Sequence, residues 1–287
     1  MSKPSSKQLS TTENVLAQQY QQKTDKQHIL DNPDTYIGSV ENVDSSMWVY
    51  NDESNRIEWR DIEYIPGLYK LFDEGMVNCR DHVVRMIQSN QLEKKFVSYI
   101  ETTVDDQGMI TMTNDGNGID IAKHPEYNIW IPEMVFGHLR TSTNYNKNEK
   151  RIVGGKNGFG FKLVLIWSTY GRVETIDHVR GLKYVQEFHN NLDKLDPPKI
   201  TKITSTKPYT KVSWVADFER FGLTGYSDKM YQLIERRLYD IAGVTDKSLN
   251  VFYNGSMIKQ KSFDKYIGLY LKDEKLVYEE IHERWSV

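Results

Sequence analysis

Cysteine is almost missing from this sequence. Cys79 stands alone among 287 residues, which excludes an internal disulfide and a cysteine-rich zinc site and suits a reducing compartment. No apolar run approaches the roughly 20 residues that cross a bilayer, and the first residues lack the apolar core of a secretion signal. Positive charge is not in excess either. Lys and Arg number 37 against 40 Asp and Glu, a net charge of −3, so there is no global basic footprint for nucleic acid and any DNA contact is local. His28, His82, His124 and His138 show no metal spacing, so no zinc site is assigned. The P-loop is absent as well, because Gly160 is followed by Phe161 and Lys162 rather than Lys-Ser/Thr. So is the dinucleotide glycine fingerprint. These absences describe a soluble intracellular protein without a membrane partner.

What is present is a core: 38% hydrophobic and 12% aromatic residues, enough for one large domain or two medium ones. Within a chain sparing of glycine, Gly154, Gly155, Gly158 and Gly160 cluster between Arg151 and Leu163. Such spacing lets several backbone N–H groups converge on one anion. The apolar stretch Phe161 to Tyr170 predicts a helix starting near Gly160, with Lys162 in its first turn, so the segment reads as a phosphate cradle.

Along the chain, residues 1 to about 13 predict a disordered arm. Asp31-Asn32-Pro33-Asp34 predicts a turn, and Trp48 to Trp59 a hairpin around Asn51 to Asn55. Pro66 opens a helix predicted to run to Gln88. Leu68, Phe72, Cys79, Val83 and Met86 fall on its apolar side, while Glu74, Asn78, Asp81 and Arg85 recur with the helical period on another. That second row is equally compatible with a plain solvated face. Phe96 to Thr103 and Met109 to Thr113 predict strands, the second entering the turn Asn114 to Gly118. A short helix follows Pro132. Arg172 to His178 and Leu182 to His189 predict a hairpin, Asn190 to Lys207 a polar connector, and Thr210 to Val215 a strand. Lys229 to Ile241 predicts a helix ended by Gly243, with new β structure from Leu249 and a domain boundary near 243–248.

Three distant segments therefore carry polar groups suited to one ligand. A carboxylate at Glu74 can orient and deprotonate water. The Asn78 side-chain oxygen suits Mg²⁺ that keeps several waters and bridges phosphates. An Asp on a glycine turn can accept the exocyclic amine of adenine. Together these groups describe ATP hydrolysis without a P-loop.

Glu-x-x-x-Asn, Asp-x-Gly-x-Gly and a later glycine-rich lid resemble the signature of the GHKL ATPases, which include DNA gyrase B subunits, MutL, ninety-kilodalton heat-shock chaperones and histidine kinases. Tyr20-Gln-Gln-Lys23, Pro33-Asp-Thr-Tyr-Ile-Gly38, Pro66-Gly-Leu-Tyr-Lys-Leu-Phe-Asp-Glu74, Ile131-Pro-Glu-Met-Val-Phe-Gly-His-Leu and Gly154-Gly-Lys-Asn-Gly-Phe-Gly-Phe-Lys162 narrow the resemblance. From about residue 19 onward the chain is similar to the N-terminal ATPase region of eukaryotic-type DNA topoisomerase II. The resemblance implies an α+β fold, the Bergerat α/β sandwich, over 19–245. It also implies an arm over 1–18 and the start of a transducer domain, of the ribosomal S5 domain 2-like type, over 246–287.

The resemblance further implies ATP and Mg²⁺ as cofactors. Glu74 is then the catalytic base and Asn78 the metal ligand. Asp115 reads adenine, with Asn114 beside it and Gly118 in the same turn. Ser142, Thr143 and Asn144 contact ribose and phosphate, Arg85 contacts the nucleotide, and Gly155, Lys156, Asn157, Gly158, Phe159, Gly160, Phe161 and Lys162 wrap the triphosphate. Tyr20 reaches the partner's nucleotide across an ATP-gated homodimer acting on duplex DNA, in a nucleus or a viral replication compartment. The sequence departs from the family at Gly75 and Met76, where bulkier aliphatics are usual, and at Phe161, where Ala is usual. It also lacks a Gln-Thr-Lys triplet, a DNA-cleaving tyrosine and an acidic metal site, so a piece of a longer protein is expected. Two rivals are another GHKL ATPase and a non-hydrolysing, ATP-dependent dimerisation module.

Overall fold

The computed structural model describes residues 23–89, 92, 94–139, 159–204, 207–271, 277–282 and 285–286. Near the N-terminus the Thr24 hydroxyl accepts from the Gln27 N–H and caps helix α1 (Asp25–Asp31), and Pro33 opens α2 (Pro33–Tyr36). The predicted turn at 31–34 is thus a joint between two short helices. The expected hairpin is longer than its tryptophans suggest. Strands β1 (Val43–Asn51) and β2 (Arg56–Tyr64) pair antiparallel, with Trp48 opposite Trp59.

Helix α3 (Pro66–Gln88) has the predicted bounds. Leu68, Phe72, Cys79, Val83 and Met86 are all buried, and so is Asp81, which the period alone grouped with the polar row. Gly75 belongs in the middle of this helix for a packing reason. A Cβ there would sit 2.7 Å from Met112 Sδ and 3.2 Å from Trp214, so the helix lies flush against the sheet.

The remaining elements are β3 (Tyr99–Val104), β4 (Met109–Asp115), α4 (Ile131–Gly137), α5 (Gly160–Ile166), β5 (Ser168–Asp177), β6 (Leu182–His189), β7 (Lys194–Leu195), β8 (Lys199–Lys202), β9 (Tyr209–Ala216), α6 (Asp228–Val244), β10 (Asn250–Tyr253), β11 (Ser256–Met257), α7 (Phe263–Gly268), β12 (Glu280–His282) and β13 (Trp285–Ser286). Strands β3 to β11 form one nine-stranded sheet in the order β11-β10-β3-β4-β9-β5-β6-β7, with β8 also on β6. Its pairings are antiparallel except β10 with β3. One face is apolar: Ile110, Met112 and Trp214 pack under α3, α5 and α6. The other carries Thr111, Arg172, Glu174 and Lys211. This is the α/β sandwich that period-2 alternation on half-covered strands produces.

Three expectations need correction. The helix predicted through Tyr170 stops at Ile166. The Ser168 hydroxyl donates to the Val164 carbonyl at 2.6 Å, and Ser168 and Tyr170 instead pair with Ala216 and Val215 of β9; a short apolar run does not by itself tell helix from strand. The connector 190–207 contains the edge strands β7 and β8. Gly243 does not end α6 but lies within it, because a Cβ would come 2.6 Å from Tyr266 of α7. Residues after 246 also pack on this core. Asn250 to Tyr253 align with Tyr99 to Thr102, and Leu249, Val251, Ile258, Tyr266 and Leu269 belong to the cluster that contains α3.

Candidate functional site

The helical repeat of α3 places Glu74 and Asn78 one turn apart on the side away from Met76 and Val83. The Asn78 amide Nδ2 donates to the Glu74 carbonyl at 2.7 Å. Among the described residues its Oδ1 accepts nothing, and the side chain is exposed. Glu74 is half-buried, with Oε1 at 2.5 Å from Lys70 Nζ. Its other oxygen faces a residue far along the chain. A Cβ on Gly160 would overlap Glu74 Oε2 and lie 3.9 Å from Asn78 Nδ2. Any side chain at 160 would push the Glu74 carboxylate aside, and the glycine leaves it where it is.

Below that contact, Phe161 is held edge-on between Phe136 and Trp214, each 5.5 Å away. Its size therefore fills a space between α4 and the sheet. Phe159 is half-buried against the core. Lys162 is 3% exposed, and burial pulls its ammonium down to about 8 from an ordinary 10.5, since desolvation penalises the charged form. Lys162 thus stands buried in the first turn of α5, directly after the glycine-rich segment.

The third segment differs from its expected arrangement. Along β4, Ile110, Met112 and Asn114 are the buried residues facing the helices, so Asp115 leaves the strand on the opposite face. Both Asp115 oxygens are engaged there. Oδ1 accepts from the Ser98 and Tyr99 N–H groups at 2.7 and 3.0 Å, and Oδ2 accepts from the Ser98 hydroxyl. Asp115 therefore offers no free acceptor to a base on the helix side. Asn114 is buried on that side, with its Nδ2 donating to the Asp115 carbonyl at 2.8 Å. The spacing held the signal. Counting Asp-x-Gly-x-Gly back from Gly118 and Gly116 puts Asn114, not Asp115, in the first position.

The turn after Asn114 is clamped at several points. Gly116 has φ +89°, and a Cβ there would meet Val97 at 2.7 Å and His82 Nε2 at 3.1 Å. A Cβ on Gly118 would collide with the Ile176 backbone. The Thr175 hydroxyl accepts from the Ile119 N–H at 3.0 Å, and Asp177 Oδ2 accepts from the Ile121 N–H at 2.9 Å. The Asn117 side chain accepts from the Lys95 N–H at 2.6 Å. His82, half-buried beside the turn, is pulled down to about 4, chiefly by desolvation and then by the Arg85 charge. Arg85 itself lies exposed in the last turn of α3.

Glu74, Asn78, Asn114 and the Gly160–Lys162 segment thus line one side of the sandwich, and Asp115 faces the other. Tyr20, Ser142, Thr143, Asn144, Gly155, Lys156, Asn157 and Gly158 lie outside the described residues. Sequence reasoning passed over Lys70, His82, Thr175 and Asp177. Lys70 was legible as the residue one turn before Glu74. The other three were not, because their importance depends on which backbone they meet.

No family model matches the chain. Known proteins do resemble it. It is 41% identical over 281 residues to DNA topoisomerase 2 of Acanthamoeba polyphaga mimivirus, covering 95% of this chain and 21% of that protein. It is 40% identical to DNA topoisomerase 2 of Arabidopsis thaliana, covering 95% and 18% respectively. This chain therefore spans about a fifth of the length of those relatives. Among solved structures, the ATPase region of Saccharomyces cerevisiae topoisomerase II superposes with a TM-score of 0.88 at 40% identity, covering 94% of this chain and 70% of that one. The ATPase and transducer domains of DNA topoisomerase II from Balamuthia mandrillaris give 0.85 at 35% identity, covering 94% and 67%.

Proposed function

Because the chain belongs to the DNA topoisomerase II family, as a counterpart of its ATPase region, we propose that it binds ATP between α3, the Asn114–Gly118 turn and the start of α5 and hydrolyses it. The observation that carries this reading is the packing of Gly160 against Glu74 Oε2 and Asn78. It unites a carboxylate and a carboxamide, one helical turn apart, with the end of a glycine-rich segment more than eighty residues further along the chain. Glu74 is the general base for the attacking water. Asn114, buried on the helix side of the sheet, takes the adenine-reading role first expected of Asp115. Lys162 and the preceding glycines, Gly155 and Gly158 with Lys156 and Asn157, hold the phosphates, while Ser142, Thr143 and Asn144 contact ribose and phosphate. Arg85 contacts the nucleotide from the end of α3.

A divalent cation fits this donor set. The Asn78 amide orients its NH₂ toward the Glu74 carbonyl, which leaves the hard amide oxygen outward. Mg²⁺ bound there supplies charge neutralisation of the phosphates.

In the whole protein, ATP binding by two copies closes a gate, with Tyr20 crossing to the partner's nucleotide, and hydrolysis is coupled to passage of one DNA duplex through another. The resemblance to topoisomerase II proteins of eukaryotes and a mimivirus supports this part and favours a nucleus or a viral replication compartment. No helix among the described residues is long and apolar enough to cross a membrane. The same resemblance supports an arm over 1–18, an ATPase domain over 19–245 and the start of a transducer domain over 246–287. Sedimentation with and without a nonhydrolysable nucleotide tests the gate: a mass that does not change would remove it.

The test of the chemistry is Glu74→Gln in the full-length protein. Turnover should fall by about 10²–10⁴-fold, the usual contribution of a general base, while nucleotide binding persists. Equal turnover would favour the rival, a nucleotide-gated dimerisation module in which Glu74 has no chemical part.

A further inference from the structure

We propose that Lys70 is the positioning residue of the hydrolytic carboxylate, fixing which oxygen of Glu74 faces the reacting water. This rests on the reading of Glu74 as general base. Residues four apart on a helix share a face, and here Lys70 Nζ lies 2.5 Å from Glu74 Oε1. The other oxygen, Oε2, is the one against Gly160. The two oxygens therefore have different jobs: Oε1 is tethered and Oε2 is presented. A glutamate has three side-chain torsions, so an untethered Glu74 would divide its time among rotamers that turn both oxygens to solvent.

The neighbouring charges make Lys70 specific to this task. Asp73, beside Glu74 in the chain, has its own cation in Arg237 of α6, with Nε at 2.7 Å from Oδ1. Arg237 also lies 3.5 Å from Asp240, so it is committed on the other side of α3. In the reaction, Oε2 takes a proton from water as the water oxygen bonds to the terminal phosphorus and the bond to the bridging oxygen breaks, giving ADP and phosphate. Lys70 takes no part in that proton transfer. It holds the acceptor still while the transfer occurs.

Lys70 is the more exposed partner of this i,i+4 pair, and such a pair adds little to fold stability, so Lys70→Met should fold normally. The experiment compares Lys70→Met, Lys70→Arg and Glu74→Gln in the full-length protein, measuring ATP turnover and affinity for a nonhydrolysable ATP analogue. Lys70→Met should lose about ten- to a hundredfold in kcat, the cost of a misplaced catalytic group, with analogue affinity unchanged. Lys70→Arg, which keeps the tether, should recover most of the rate. If Glu74→Gln is inactive and Lys70→Met turns over like the parent, Lys70 has no positioning role although the base reading stands. If Lys70→Met weakens analogue binding as much as turnover, Lys70 is a ligand contact instead and the proposal is overturned. Parent-like turnover by Glu74→Gln would remove the base reading itself.

Discussion

Lys162 is the residue whose chemistry most directly reports an anion. The residue is 3% exposed, and burial holds its ammonium at about 8. Without ligand it is only partly protonated at pH 8, whereas a bound triphosphate favours the charged form and raises its pKa. Nucleotide binding should therefore take up protons around pH 8, and affinity should fall as pH rises through that value. Calorimetry in buffers of different ionisation enthalpy measures the uptake, and Lys162→Met should abolish it. Binding without proton uptake at pH 8 would separate Lys162 from the phosphates. The sign for folding is opposite: between about 8 and 10.5 the unfolded chain binds more protons, so stability rises with pH across that window. The burial that sets this value was invisible in the sequence, where Lys162 reads only as a charge near glycines. Asp115 teaches the same lesson. A residue's type and neighbours name its chemistry, but the face it leaves a strand from depends on pairing with β3 and β9.

Among the elements, α3 was the most legible and α5 the least. Pro66, a long proline-free run and apolar residues at helical spacing determine α3 locally, and its observed bounds match. The run from Phe161 to Tyr170 has no such internal marker. Its helix ends after seven residues because Ser168 and the residues after it are claimed by β9, a partner more than forty positions away. Phe161 anchors what helix there is. Wedged between Phe136 and Trp214, it ties the start of α5 to α4 and the sheet, and so keeps Gly160 against Glu74. Phe161→Ala should leave a cavity and cost about 2–4 kcal/mol, seen as a lower denaturant midpoint, with turnover falling because Gly160 is no longer held. A loss below about 0.5 kcal/mol, the range of an ordinary surface change, would show that the ring does not anchor the helix.

At the scale of the molecule, a long-range pairing decides the shape. The parallel alignment of β10 with β3 joins residues about 150 positions apart and extends the sheet beyond the point where a boundary was expected. The functional side of the sandwich follows from the same architecture. Helices α3 and α5 cover the apolar face of the sheet, Glu74, Asn78 and Gly160 come together in that layer, and Asn114 is buried on the same face of β4. The structure of this protein with Mg²⁺ and a nonhydrolysable ATP analogue tests the account most directly. It should show the phosphates between Asn78 and the Gly160–Lys162 segment, with adenine at Asn114 and the terminal phosphate facing Glu74 Oε2. A nucleotide seated on the polar face beside Asp115, or anywhere away from α3, would contradict it.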